Sequence, residues 1–183
     1  TWPETVARAT SFLRELSENK LGEDVYQAIH YAILNMQVLP SMRLLAMAGK
    51  AARRSHITLY NCSYITVDTI QAFVEALIIS MCGTGVGFSV EQKYIQKLPT
   101  VMYQRGLNPI PHTVEDSAEG WADALRIGLN AWWDGLDVQY NFDKVRPAGA
   151  ILKIKGGRAS GPDPLRNMLA FARSTILRNQ GRS

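Results

Sequence analysis

The first part of the chain alternates apolar and polar residues with the period of an α-helix. Apolar residues recur at helical spacing from Thr1 to Leu16, and a second apolar stripe runs from Glu23 to about Met36. The apolar segment from Met42 to Gly49 is short, and the basic segment from Lys50 to Ser55 is typical of a solvated loop. The pattern therefore predicts a helical N-terminal region over residues 1–55.

Beyond residue 55 the pattern changes to short runs of β-branched and aromatic residues that alternate with helical segments. The predicted elements are strands over 57–67, 88–91, 136–142 and 150–155, and helices over about 69–81, 116–133 and 160–178. Helices followed by alternating strands and helices are typical of an α/β fold with a largely parallel sheet. The sequence thus predicts an α/β domain over residues 56–183.

The clearest helix signal lies near residue 116. Asp116 is a natural N-cap residue, and Glu119, three positions later, completes a capping box. We therefore expect a helix that begins immediately after Asp116 and continues to about Trp133.

Composition and charge exclude several classes of protein. With 46% hydrophobic and 20% charged residues, the 183-residue chain has an ordinary globular composition. Its net charge of +4 suits a phosphate-bearing ligand but is too small for a dedicated nucleic-acid binder. The sequence has no run of 18 apolar residues for a membrane span and no secretion signal at Thr1. Cys62 and Cys82 make neither a disulfide framework nor a zinc motif, so we expect reduced thiols and a cytoplasmic location.

Cys62 is the first candidate for chemistry. It lies in a predicted strand between the polar residues Asn61 and Ser63. A cysteine in a strand is often a small buried hydrophobic residue, and that interpretation stays open here. A thiolate nucleophile usually needs a histidine, but His56 is roughly 20 Å away along a straight strand. His112 is then the remaining histidine partner for a thiol hydrolase, and the sequence does not fix its position.

Three further segments suit a phosphate or a ligand that approaches the backbone closely. Gly83–Gly87 follows a helix and precedes a strand, which is the wrong order for a dinucleotide fingerprint, so it predicts either a tight turn or a close backbone approach. Gly156–Pro162 has the order strand, glycines, helix, and a helix N-terminus there lies beside Arg158. Ser41 and Arg43 offer a hydroxyl and a guanidinium that suit phosphate without specifying it.

Taken together and in this order, the segments resemble ribonucleotide reductases, most closely the adenosylcobalamin-dependent (class II) monomeric branch. The match runs nearly from end to end, and its last segment is the most specific. The matching segments are Trp2–Val6, Leu39–Arg43 with Ala48-Gly49, Asn61-Cys62, Gly85–Ser89, Asp116–Trp121, Val145–Gly149 and Gly156–Leu165.

The resemblance implies an α/β fold in which the helical N-terminal region precedes the first part of the barrel that houses the active site. Cys62 would be one of two cysteines that deliver electrons to the ribose 2′ position and form a disulfide in each turnover, which needs no histidine. Effector contacts are implied for Asp116 and Ser117. Substrate contacts are implied for Ser41, Arg43, Asn61, Gly83, Gly85, Gly87, Ser160 and Gly161.

The implied function is the reduction of ribonucleotides to deoxyribonucleotides by radical chemistry. The implied cofactor is adenosylcobalamin, bound mainly by parts outside this chain, and the implied partners are a ribonucleotide substrate, a deoxynucleotide or ATP effector, and a thiol reductant such as thioredoxin. The family's radical-bearing cysteine and second redox cysteine belong to segments beyond Ser183. This segment alone would therefore be inactive, and the missing part would follow in the same chain or come from a partner or dimer.

The chain departs from the family's pattern in one loop, and two alternative functions stay open. Between Pro99 and Asp116 the chain is short where monomeric relatives carry an insertion, so effector control is either absent or needs a second subunit. The first alternative is a non-catalytic nucleotide-binding regulator that retains the pocket. The second is a thiol hydrolase that uses Cys62 and His112. Neither a nucleic acid nor a membrane is expected as a partner.

Overall fold

A computed structural model of the chain describes residues 1–152 and 157–182, and its contacts divide it into two compact units. The first unit comprises residues 1–63 and 82–85. The second unit comprises residues 64–81 and the chain from residue 86 onward. No helix in the described ranges is both long and apolar enough to cross a lipid bilayer.

The first unit is built from short helices around a small core. These helices are α1 (Trp2–Leu16), α2 (Glu23–Leu34), α3 (Met42–Met47) and α4 (Lys50–Arg54). The core consists mainly of small side chains, with Phe12 of α1 packed among Ala9, Ala48 and Ala52. The periodicity of the sequence therefore predicted α1 and α2 correctly, and the short apolar segment after residue 42 contains α3.

Residues 50–54 form a helix where the sequence predicted a solvated loop. Ala52 is fully buried in the core of the first unit, and alanine is the best helix former. On the same helix, Arg53 forms a bidentate ion pair with Glu15 of α1. The loop prediction was wrong because it was based on the basic residues of this segment, whereas Ala52 on the same helix is buried.

The predicted strand over 57–67 begins only at Cys62. Residues His56–Leu59 form a 3₁₀ turn, and β1 spans Cys62–Thr66. Within the turn, Thr58 is 2% exposed, and its hydroxyl donates a hydrogen bond to the carbonyl of Ser55 at 2.9 Å. Such local side-chain bonds compete with the sheet, which accounts for the shorter strand.

The second unit is organised around α7 (Ala118–Trp133), which packs against α5 (Ile70–Met81) and α8 (Asp163–Leu177). Its core includes Trp132 and Leu165, which are each 1% exposed. A short helix, α6, spans Gln92–Ile95. All three helices predicted for this region are present, with small differences at their ends.

The strands in the described residues form two sheets of two strands each. β1 pairs with β2 (Gly85–Ser89), and β3 (Ile110–Thr113) pairs in parallel with β4 (Val138–Asn141). The parallel pair agrees with the α/β prediction, but these small sheets do not form a closed barrel. β2 begins at Gly85, so the strand predicted over 88–91 starts earlier and includes three residues of the predicted glycine turn.

The strand predicted over 150–155 falls partly outside the described residues, because 153–156 are not among them. On the flanks of that gap, Ile151 forms an isolated antiparallel bridge with Arg158. The helix that follows begins at Asp163, close to its predicted start.

Candidate functional site

Cys62 is exposed and is the first residue of β1. The interpretation of Cys62 as a small buried hydrophobic residue is therefore wrong. Cys82 takes that role instead, since it is only 9% exposed and its Sγ lies 3.7 Å from the hydroxyl of Ser55. Of the two thiols in the chain, Cys62 is the one that a ligand or a reductant can reach.

Backbone from the glycine segment lies beside the Cys62 thiol, within the first unit. The N–H of Gly85 donates a hydrogen bond to the carbonyl of Asn61 at 2.9 Å, and the hydroxyl of Ser63 donates to the carbonyl of Gly85 at 3.3 Å. A Cβ placed on Gly85 would lie 3.9 Å from Sγ of Cys62. Glycine at this position therefore leaves one side of the thiol uncovered.

Gly83 is constrained both by its backbone conformation and by the side chain of Arg43. Its φ of +84° lies in the left-handed region that favours glycine, and a Cβ there would lie 2.9 Å from Nη1 of Arg43. No hydrogen bond or ion pair of the Arg43 side chain is found in the described residues, and the side chain is half-buried. An unpaired guanidinium that lies against bare backbone is suited to bind an anionic group of a ligand.

The helix that carries Arg43 is held in place at both ends. At its N-terminus, the hydroxyl of Ser41 accepts a hydrogen bond from the N–H of Leu44 at 3.1 Å. At its C-terminus, the guanidinium of Arg8 in α1 donates to the carbonyls of Leu45 and Ala48, each at 2.6 Å. Ser41 is thus an N-cap residue first, and a contact with substrate would use its remaining hydroxyl proton.

Thr84 is a residue that the sequence analysis missed. It is 3% exposed, and its hydroxyl lies 2.8 Å from the carbonyl of Ile57 and 3.0 Å from that of Tyr60. Of these two acceptors, Tyr60 lies immediately before Asn61 and Cys62 in the chain, and Ile57 lies three residues before Tyr60. The only sequence signal was a hydroxyl residue between two glycines, and it could not show which carbonyls that hydroxyl would meet.

The other predicted substrate residues lie in the second unit. Gly87 is exposed in β2. Gly161 has a φ of +77°, and a Cβ on it would lie 2.9 Å from the backbone nitrogen of Ala148. Ser160 lies next to it and donates a hydrogen bond to the carbonyl of Gly161 at 3.3 Å. The described contacts thus give Gly161 a structural reason to be glycine, whether or not a nucleotide lies near it.

The two residues with implied effector contacts, Asp116 and Ser117, each make a contact within the protein. Ser117 is the N-cap of α7, and its hydroxyl accepts a hydrogen bond from the N–H of Gly120 at 2.9 Å. Asp116 was predicted as this N-cap, but its carboxylate forms an ion pair with Nε of Arg146 at 2.7 Å. That prediction was wrong by one residue, because the nearby arginine competes for the aspartate.

His112 lies in the second unit, on β3. Its ring packs edge-on against the ring of Tyr140, with 6.0 Å between the centroids. Its Nε2 is buried and has no hydrogen-bond partner among the described residues. The same residues contain no group of three His, Cys, Asp or Glu side chains that could hold a metal ion.

Comparison with known proteins supports the resemblance found in the sequence, although no protein-family model matches the chain. An adenosylcobalamin-dependent ribonucleoside-triphosphate reductase of Euglena gracilis is 29% identical over 88% of this chain. An inferred enzyme of the same kind from Mycobacterium phage D29 is 28% identical over 97% of this chain. The chain spans 22% and 30% of the lengths of these two relatives.

A solved structure shows the same fold. A B12-dependent (class II) ribonucleotide reductase matches all of this chain with a TM-score of 0.84, at 21% identity and over 35% of its own length. The mixed helix and strand arrangement described above is therefore that of one segment of such an enzyme. The predicted resemblance to the adenosylcobalamin-dependent ribonucleotide reductases is confirmed by both comparisons.

Proposed function

We propose that this chain is part of an adenosylcobalamin-dependent ribonucleotide reductase and supplies one reducing thiol and part of the nucleotide pocket. The observation that carries the proposal is the exposed thiol of Cys62 beside the uncovered backbone of Gly85. The relatives named above support the assignment of that thiol to ribonucleotide reduction. The small sheets would then be segments of a larger α/β barrel, which the rest of the protein completes and whose strand edges it covers.

The proposed reaction requires two electrons and two protons. The ribose loses its 2′-hydroxyl as water and gains a hydrogen, while two thiols are oxidised to one disulfide. Cys62 supplies one of these thiols, and Cys82 is too buried to supply the second. A further thiol has to carry the starting radical, so the second reducing thiol and the radical thiol belong to polypeptide outside this chain.

Adenosylcobalamin would supply the radical that begins the reaction. As the resemblance to the family implies, that outside polypeptide would make most of the contacts with adenosylcobalamin. Within this chain, Cys62 supplies reducing equivalents, and a thiol reductant such as thioredoxin would regenerate it from the disulfide.

Within the pocket, the guanidinium of Arg43 would bind the substrate phosphates, since no carboxylate neutralises it in the described residues. Asn61 and the backbone of Gly83 and Gly85 would lie along the nucleotide beside Cys62. The remaining predicted substrate contacts, at Ser41, Gly87, Ser160 and Gly161, stay part of the proposal.

Regulation is proposed for the start of α7 in the second unit. A deoxynucleotide or ATP effector would bind near Asp116 and Ser117, and a second subunit would complete this surface. Because Ser117 caps the helix and Asp116 pairs with Arg146, an effector would have to compete for both side chains or use their free oxygen atoms.

The test compares Cys62→Ser with Cys82→Ser in the full-length protein. With adenosylcobalamin, a ribonucleoside triphosphate and dithiothreitol, the wild type should form deoxyribonucleotide over many turnovers. Cys62→Ser should abolish sustained turnover, because the disulfide cannot form, and Cys82→Ser should retain it. Nucleotide affinity should change only a few-fold in either variant. Full turnover by Cys62→Ser would overturn the assignment, and binding without turnover in the wild type would favour the regulator.

A further inference from the structure

We propose that Thr84 is a positioning residue that fixes the Gly83–Gly85 segment against Cys62, an inference that rests on the function proposed above. Thr84 lies between two glycines, and its hydroxyl bridges the carbonyls of Ile57 and Tyr60. It does not touch the reacting thiol itself. Its effect on the reaction would come from the backbone that it holds.

The local backbone explains why this segment needs a side-chain anchor. Glycine on both sides allows the chain many conformations, and Gly83 adopts one with positive φ. Thr84 is 3% exposed, so water has little access to the hydrogen bonds of its hydroxyl. The buried hydrogen bonds of Thr84 therefore restrict a backbone segment that its two glycines would otherwise leave flexible.

The two ends of the segment show what the anchor positions. On one side of Thr84, Gly83 lies against the guanidinium of Arg43. On the other side, the N–H of Gly85 binds the carbonyl of Asn61 beside Cys62. A shift of Thr84 would therefore move both the proposed phosphate contact and the backbone that borders the thiol, so catalysis would suffer more than stability.

Thr58 provides a matched control in the same unit. It is 2% exposed, and its hydroxyl also donates to a backbone carbonyl, that of Ser55, at 2.9 Å. Thr58→Val and Thr84→Val therefore remove the same group from equally buried surroundings. Only Thr84→Val removes an anchor of the glycine segment.

The experiment compares Thr84→Val, Thr84→Ser and Thr58→Val in the full-length protein. Three quantities are measured: the melting temperature, kcat/KM for deoxyribonucleotide formation from CTP, and the rate at which iodoacetamide alkylates Cys62, followed on its peptide by mass spectrometry. Both valine variants should lower the melting temperature to a similar extent. Only Thr84→Val should lower kcat/KM, by about tenfold or more, because small displacements in an active site are costly.

The alkylation rate separates this inference from the proposed function, because it needs no turnover. It should change by about threefold or more in Thr84→Val and stay near wild type in Thr58→Val, and Thr84→Ser should restore it because the hydroxyl is retained. If the wild type forms no deoxyribonucleotide, the proposed function fails and the alkylation rates still decide the role of Thr84. The inference is overturned if Thr84→Val keeps the wild-type alkylation rate, or if Thr58→Val changes it equally.

Discussion

At the scale of single residues, the first unit combines an accessible thiol with an unpaired cation. Cys62 is exposed, and the guanidinium of Arg43 lies against Gly83 with no carboxylate partner in the described residues. Most other arginines of this unit are engaged, as Arg8 is with the carboxyl end of α3 and Arg53 is with Glu15. Arg43 is therefore the cation of this region that is best placed to serve a ligand.

Arg43→Ala should weaken binding of a ribonucleoside triphosphate to the full-length protein by about ten- to a hundredfold, the range expected for a lost charge-assisted hydrogen bond. The melting temperature should change little, because no hydrogen bond within the described protein is lost. Isothermal titration calorimetry measures the affinity, and Arg43→Lys should recover part of it by keeping the charge without the planar fork.

Arg53→Ala is the matched control, since it removes one arginine from the same unit and breaks a surface ion pair with Glu15. The affinity of this variant for the nucleotide should stay within about twofold of wild type, because loss of an exposed ion pair changes the stability of the fold little. Equal losses of affinity in both variants would mean that only the net charge matters, and Arg43 would lose its proposed role.

The sequence could name some of these residues but not their environments. It placed Cys62 between polar neighbours, which suggested chemistry, yet its exposure depends on where β1 begins. It identified Gly83 as a turn residue but could not show that Arg43, forty residues earlier, would lie against it. The role of Thr84 depends on two carbonyls far along the chain, and no local pattern reveals such contacts.

At the scale of elements, the start of α7 shows how one arginine changes a capping pattern. The hydroxyl of Ser117 accepts from the N–H of Gly120, while the carboxylate of Asp116 turns to Arg146. Ser117→Ala should therefore lower the free energy of unfolding by about 1 kcal/mol, the usual value of a lost N-cap. Urea unfolding followed by circular dichroism measures the change, and Ser117→Asn should retain most of the stability.

Asp116→Asn is the companion variant, because it neutralises the ion pair with Arg146 without touching the cap. The two side chains are 32% and 38% exposed, so we expect a change below about 1 kcal/mol. A larger loss in Asp116→Asn than in Ser117→Ala would restore Asp116 as the residue that stabilises the helix start. If the change in stability stays below about 1 kcal/mol, a selective loss of effector response in Asp116→Asn would concern binding and not folding.

Helices with a long apolar stripe could be predicted from the sequence, and short elements could not. α1, α2 and α8 follow the 3.6-residue period, so their positions were predicted to within a few residues. α4 is one short turn whose basic residues suggested a loop, and the 3₁₀ turn at His56–Leu59 has a strand-like composition. Burial of Ala52 favours the helical conformation of α4, and the hydrogen bond from Thr58 to Ser55 favours the 3₁₀ turn. Neither contact can be predicted from the spacing of apolar residues.

At the scale of the whole molecule, the chain corresponds to about a fifth to a third of the length of the enzymes that it resembles. That proportion agrees with the function proposed above, which would need three thiols, since Cys62 is exposed and Cys82 is buried. It also agrees with its sheets, since strand pairs with open edges are normally extended or covered. Under the proposed function, further polypeptide would complete the site.

One carboxylate in the second unit joins three of its elements. Asp137 accepts hydrogen bonds from Trp132 at the end of α7 at 3.1 Å and from the N–H of Val138 in β4 at 2.9 Å. Arg173 of α8 donates to it twice, at 2.9 and 2.6 Å. The bonds from Arg173 are the main cause that lowers the pKa of Asp137 below its ordinary value.

Because the pKa of Asp137 is lowered in the folded protein, the contribution of this carboxylate to stability depends on pH. A carboxyl group whose pKa is lower in the folded state stabilises the fold above its unfolded pKa of about 3.9, and this contribution is lost as the pH falls through the folded pKa. Asp137→Asn should therefore reduce the free energy of unfolding at pH 7 by about 1–3 kcal/mol, the cost of weakening a network of charge-assisted bonds. As the pH is lowered from 7 toward 3, the difference between wild type and variant should shrink, because the wild-type carboxylate becomes protonated.

Asp123→Asn is the control for this pH dependence, since Asp123 also pairs with an arginine, Arg126, but on the exposed surface of α7. Its side chain is 53% exposed, so the variant should lose less than about 0.5 kcal/mol at either pH. Urea unfolding of all three proteins at both pH values measures the differences. A loss in Asp137→Asn that stays constant between pH 7 and 3 would mean that the shape of the side chain, and not its charge, holds α7, β4 and α8 together. If the loss shrinks only in Asp137→Asn, the charge on this one carboxylate couples the three elements.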